Sequence, residues 1–243
     1  MSTVDAAPLG GRVVLVTGAH GGLGSAASRA CAQAGAKVVL LGRRVRQLEK
    51  LHDAINAVAE HTPVLYPLDL EGASPDDFAD LAQRVGDAYG RLDGLLHCAT
   101  EFRGLTPLEH TDPAGFARAI HVGLTAPWWL TQACLPVLRK SDDGAVVFVV
   151  DDPARVSRAY WGGYGIAQHG LSAMVGMLHA ELASGRVRVA GLQPGPMRTP
   201  LRSRAFVEDQ DRDARDPAFA AAACVELLSP EGRRWRGTVR TLA

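Results

Sequence analysis

Two sets of residues in this 243-residue chain have types and spacing that could do chemistry. The first is TGAHGGLG at residues 17–24, where glycines would let the backbone turn tightly and approach a phosphate, with the N–H groups of a following helix adding partial positive charge. The second is Tyr164, followed one helical turn later by Gln168. A tyrosine one turn ahead of a lysine would be a proton donor of lowered pKa, suited to accompany hydride transfer on a bound dinucleotide. Glutamine can hydrogen-bond a ribose hydroxyl but brings no positive charge. With a phenol near its reference pKa of about 10, only roughly one molecule in a thousand is ionised at pH 7. A phenol that stays neutral can donate a proton but serves poorly as a base.

The elements that must position these residues alternate regularly. Residues 12–17, 37–41, 63–68, 92–98, 145–150 and 187–193 read as strands, with 237–242 a seventh. Several are nearly continuous apolar runs, as in parallel strands covered on both faces. Helical stretches at 23–34, 45–60, 75–89, 113–139, 163–184 and 217–228 lie between them. The pattern predicts an α/β fold, a single Rossmann-type domain over residues 1–243 with a doubly wound parallel sheet of about seven strands and helices on both faces. No internal repeat or linker interrupts it. Residues 198–216, dense in Arg and Asp and without helical periodicity, read as a solvated loop or as a mobile substrate lid.

Composition narrows the function classes. Twenty-six basic residues balance twenty-six acidic ones, which argues against a general attraction to nucleic acid or an anionic membrane. No apolar run approaches the roughly 18 residues of a spanning helix, and the first ten residues lack the pattern of a signal peptide, so a cytoplasmic location is the expectation. Cys31, Cys98, Cys134 and Cys224 are widely separated and no His stands at metal-ligand spacing, which points to free thiols rather than disulfides or a metal site.

The second strand ends LLGRR. Proteins that select NAD place a carboxylate near this point for the ribose 2′-hydroxyl, whereas Gly42 is followed here by Arg43 and Arg44. Two guanidiniums match a 2′-phosphate, so NADP(H) is expected over NAD(H). An exposed basic helix start is the bland alternative.

At this point the chain resembles the short-chain dehydrogenase/reductase family over nearly its whole length. The family's T-G-x-x-x-G-x-G matches Thr17, Gly18, Gly22 and Gly24, with His20 and Leu23 inside the loop. By resemblance, Asp69 and Leu70 follow the third strand where the family meets the adenine, and Pro194, Gly195 and Thr199 stand where it lines the nicotinamide. Tyr164 matches the family's tyrosine. The resemblance implies a dimer or tetramer through the helices at 113–139 and 163–184. Gly163, Gly165, Ala167, Gly170, Ser172, Ala173 and Gly176 would permit close approach there, or equally packing on the chain's own sheet.

The catalytic set departs from the family. Gln168 stands for its lysine and Asp151, followed by Asp152, for its serine. His121 stands for an asparagine of the long helix, and His97, Cys98, Ala99 and Thr100 for Asn-Asn-Ala-Gly. An ionised Asp151 can only accept a hydrogen bond and would repel a developing oxyanion. At about 4 Å and an effective dielectric near 20 that repulsion approaches ~4 kcal/mol, on the order of a thousandfold in rate. Two aspartates facing the site together would raise one pKa and leave a neutral acid able to donate. His121 reads as a proton relay or as a packed histidine, and His97 as a group narrowing the cofactor site or as packing. His169 lies off the tyrosine's face. The only lysines, Lys37, Lys50 and Lys140, are far from Tyr164 in sequence, and Arg155 and Arg158 read as loop charges or as groups reaching a substrate anion. Two functions follow. One is an NADP(H)-binding protein without ordinary hydride-transfer catalysis, acting as a sensor, regulator or scaffold. The other is an NADP(H)-dependent oxidoreductase reducing a carbonyl of an unidentified small molecule through a modified Tyr164, His121 and Asp151 set.

Overall fold

The computed structural model describes residues 7–206 and 214–242. Seven strands, β1 (Val13–Thr17), β2 (Lys37–Gly42), β3 (Val64–Pro67), β4 (Gly94–His97), β5 (Gly144–Val149), β6 (Val187–Gln193) and β7 (Val239–Thr241), form one sheet. Its order is β3-β2-β1-β4-β5-β6-β7, and every pair is parallel. Strand side chains alternate between two apolar layers. Val13 and Leu15 face one core with Phe78, Leu130 and Leu171, while Val14 and Val16 face the other with Ala27, Leu48 and Cys224. Helices α3 (Pro75–Tyr89), α5 (Ala126–Leu138) and α7 (Gly162–Glu181) cover the first face; α1 (Gly22–Gln33), α2 (Val45–Asn56) and α9 (Pro217–Leu228) cover the second. This is the expected doubly wound sheet, and its carboxyl-end crevice opens where the strand order reverses between β1 and β4.

Several expectations needed adjustment. The helix read over 113–139 is two helices, α4 (Pro113–Ile120) and α5, joined by a π turn at His121–Thr125. Pro127 has no N–H to offer the carbonyl four residues back and its ring crowds that position, so the helix widens just before it. The charged segment after β6 contains a short helix, α8 (Pro200–Ala205), whose N-cap Thr199 accepts from the Arg202 N–H. Met197 bridges Arg215 across the same segment. The remainder of the expected lid, residues 207–213, lies outside the described residues. A further one-turn helix, α6 (Pro153–Val156), follows β5 under an Asp152 N-cap. All four cysteines are free; burial pushes the Cys134 and Cys224 thiols up to about 12, which keeps them protonated and inert. Among the described residues no helix is long and apolar enough to cross a membrane.

Candidate functional site

A cleft of about 530 Å³ runs along the carboxyl ends of the strands and holds most of the expected site residues. At its centre the glycine loop shapes the wall. Gly18 sits at φ +62, and a Cβ there would stand 2.9 Å from the Ala99 backbone. A Cβ at Gly22 would come 2.6 Å from the Thr199 methyl, and one at Gly24 2.2 Å from the Gly18 carbonyl oxygen. Only glycine fits these approaches, and the space they keep is lined by Cys98, Ala99, Pro194, Gly195 and Thr199. Thr17 is fully buried and does not line the cleft, so its expected place as a cofactor contact is corrected. Its hydroxyl accepts from the Cys98 and Ala99 N–H groups, each at 3.2 Å, and thereby ties the end of β1 to the loop after β4. The backbone around Gly22, opening α1 toward the cleft, suits a pyrophosphate.

The far end of the cleft is basic. Arg43 and Arg44 line it with Arg29, Gln47 and Lys50, three residues that sequence reasoning passed over because they belong to exposed helix faces. At the end of β2 Gly42, followed by Arg43 and Arg44, packs under His20; a Cβ on Gly42 would lie 2.4 Å from His20 Nδ1. Burial lowers the His20 pKa, and the Arg44 and Arg43 charges lower it further, so the imidazole is neutral at pH 7. Asp69 and Leu70 line the same end. The residues present therefore fit a dinucleotide carrying a 2′-phosphate.

The other end is built around Tyr164. Its hydroxyl donates to Asp151 Oδ2 at 2.8 Å. Asp151 Oδ1 accepts from the Asp152 N–H at 2.6 Å and pairs with the Arg155 guanidinium. Gln168 turns away from the phenol: its Oε1 accepts from the Asp151 N–H at 2.9 Å, and its Nε2 reaches Thr100 Oγ1 at 3.5 Å. Burial raises the Tyr164 pKa well above its ordinary value, and the Asp151 charge and hydrogen bond add to that; Arg155 offsets only part of it. Phe102 and Trp161 pack on the ring, with centroids at 5.1 and 5.6 Å, and Phe206 packs on Trp161 at 6.2 Å, leaving Tyr164 6% exposed. These rings, with Asp151, Arg155 and Gln168, line this end of the same cleft.

The remaining catalytic expectations divide. Asp152 accepts from the Ala154 N–H as the cap of α6 and does not line the cleft, so the two aspartates form no shared acid. His121 does not line the cleft either; it stands edge-on to Trp129 at 5.2 Å, and its expected relay role is withdrawn. On the π turn the residue lining the cleft is Val122, and Gly123 beside it packs on α7, where a Cβ would lie 2.9 Å from Ala167 Cβ and 3.7 Å from Thr100 Oγ1. His97 is buried below the cleft, stacked on Phe148 at 4.8 Å with Nε2 2.9 Å from Thr131 Oγ1, and burial drives its pKa down to about 3. Packing is its role. His169 meets Ser157 at 2.9 Å on the exposed side of α7. Arg158 is exposed, but Arg155 enters the cleft, a position that its four-residue spacing from Asp151 could have signalled.

The sequence profile described as short chain dehydrogenase matches residues 12–210. The chain belongs to the short-chain dehydrogenase family. Among the family's members it is 34% identical to the oxidoreductase YciK of Escherichia coli over 229 residues, which is 94% of this chain and 90% of YciK. A short chain dehydrogenase of Shigella flexneri, solved in complex with NADP, superposes with a TM-score of 0.92 at 33% identity, covering 98% of this chain and 99% of that one. One from an E. coli strain, complexed with NADPH, gives 0.92 at 34% identity, covering 98% of each chain. These short-chain dehydrogenases share the whole architecture with the present chain.

Proposed function

We propose that this short-chain dehydrogenase family member binds NADP(H) and does not run the family's ordinary hydride transfer, so that nucleotide occupancy itself is the output, read by a partner or a regulated assembly. Binding is supported by the glycine walls around Gly18, Gly22 and Gly24, by the Arg43 and Arg44 end, and by similarity to neighbours solved with NADP and NADPH. Bound NADP(H) supplies hydride chemistry at its nicotinamide; everything else must come from the protein.

The observation that carries the reading is the Tyr164 hydroxyl donating to Asp151 under Phe102 and Trp161. Giving that proton to a substrate would leave a phenolate beside a carboxylate, a repulsion of about 4 kcal/mol at a separation near 4 Å. Gln168 contributes no charge to offset it and is occupied by Asp151 and Thr100. A second reading keeps one supporting observation: Arg155 brings a positive charge next to Asp151, and a reductase using Tyr164 and Asp151 alone would depend on it. The protein is further proposed to be cytoplasmic and to self-associate through α5 and α7, whose outer faces expose Trp128, Ile166 and Met177.

Calorimetry with NADPH and NADH, followed by turnover assays on a broad carbonyl panel at high protein concentration, tests the proposal. The expected result is NADPH binding at least tenfold tighter than NADH with no turnover. Turnover that disappears in Tyr164→Phe would establish the second reading instead.

A further inference from the structure

Arg43 is surrounded by carboxylates. Its Nη2 lies 3.4 Å from Glu101 Oε2, and its Nη1 lies 3.7 Å from Asp69 Oδ1 and 3.9 Å from Glu71 Oε2. Glu101 is the unusual member of this group. It stands just after the β4 loop, 8% exposed, lines the cleft, and holds Arg43 from one oxygen and Arg103 Nε, at 3.4 Å, from the other. A buried carboxylate is a costly object, and one aimed at a basic nucleotide cleft needs a reason. Glu71 is shared with Arg118 and exposed, so its hold on Arg43 is the weaker one. Arg44, next in sequence, pairs with no carboxylate among the described residues.

We propose that Glu101 sets the cofactor selectivity of the cleft by competing with the 2′-phosphate for the Arg43 guanidinium. The inference rests on the reading of the cleft as an NADP(H) site. A guanidinium binds phosphate best through two parallel N–H donors. Arg43 can present both only by releasing Glu101 on one nitrogen and Asp69 with Glu71 on the other. NADPH forces that exchange. NADH, with a neutral 2′-hydroxyl, leaves Arg43 where it is, so the carboxylate weighs on one cofactor and not the other. Arg44 meets the phosphate without such a cost. Glu101 is therefore a positioning residue: it touches Arg43 and acts on the cofactor through it.

Glu101→Gln keeps the shape and an acceptor for Arg43 but removes the charge. Calorimetric titration of the full-length protein is expected to show NADPH binding about tenfold tighter than in the wild type and NADH binding changed by less than about twofold. Glu71→Gln, at an exposed position where folding is not at stake, is expected to shift the same ratio in the same direction by a smaller factor. In an Arg43→Ala background, Glu101→Gln is expected to leave the ratio unmoved. A ratio that stays constant or falls in both single variants would overturn the competition, a fall meaning that the carboxylates pre-orient Arg43 for the phosphate. A shift persisting without Arg43 would overturn it as well. Loss of NADPH binding in the wild type itself would overturn the cofactor reading and this inference with it, whereas normal wild-type binding with an unmoved ratio overturns the competition alone.

Discussion

The two ends of the cleft are built from different materials. The phosphate end is made of backbone: Gly18, Gly22 and Gly24 are fixed by what a Cβ would strike, and Thr17 anchors the opposite wall through two N–H groups. The nicotinamide end is made of side chains: Tyr164, Asp151, Arg155, Gln168 and Thr100 are held by one another. Backbone geometry tolerates substitution at neighbouring positions, while a set of charges changes its chemistry with a single replacement. Binding and catalysis can part company inside one cleft for that reason.

The largest effect that would break this contrast is a gain of turnover. Asp151→Ser combined with Gln168→Lys removes the carboxylate that holds the phenol and returns a positive charge one turn from it. On a carbonyl panel with NADPH, the double variant is expected to reduce at least one substrate on the order of a thousandfold faster than the wild type. Equal rates would mean that the charge set is not what limits turnover at Tyr164. At the phosphate end, Arg44→Ala is expected to weaken NADPH about tenfold and to leave NADH unchanged, measured by calorimetry. An equal loss for both cofactors would place Arg44 outside the 2′ subsite.

The smallest effect concerns the support beneath the nicotinamide end. The folded-state pKa of His97 is about 3, well below its unfolded value near 6.5, so the unfolded chain binds the extra proton between those limits. The His97 contribution to stability is fully present above about pH 6.5 and is lost as pH falls toward about 3. Wild-type stability in urea is expected to decline by about 1 kcal/mol per pH unit more steeply than that of His97→Phe across this window. Parallel slopes would mean that the imidazole is solvated.

The parts that could be read from the sequence follow the same division. The parallel sheet, the helices on both faces and the glycine loop were legible because apolar period and glycine sterics are local properties. Arg43 and Arg44 were legible as charges at the end of a strand, although the hold of Glu101 on Arg43 spans 58 residues and leaves no local trace. Tyr164 and Asp151 could be named but not their bond, since thirteen residues and a one-turn helix separate them. His121 was misplaced because a π turn takes in an extra residue and rotates the faces around it, so that Val122 rather than His121 lines the cleft. Arg155 was left between a loop charge and a group reaching a substrate anion, because a charge in a loop reads as solvated until its partner, here Asp151, is located.

The close approach of Gly123 to Ala167 also limits which substitutions the fold can accept one at a time. With 2.9 Å between a would-be Cβ and the Ala167 methyl, any side chain at that point of the turn must wait for a change on α7, and a change on α7 alone gains nothing. Positions 123 and 167 are therefore coupled: a side chain on the turn can be accommodated only together with a change on α7.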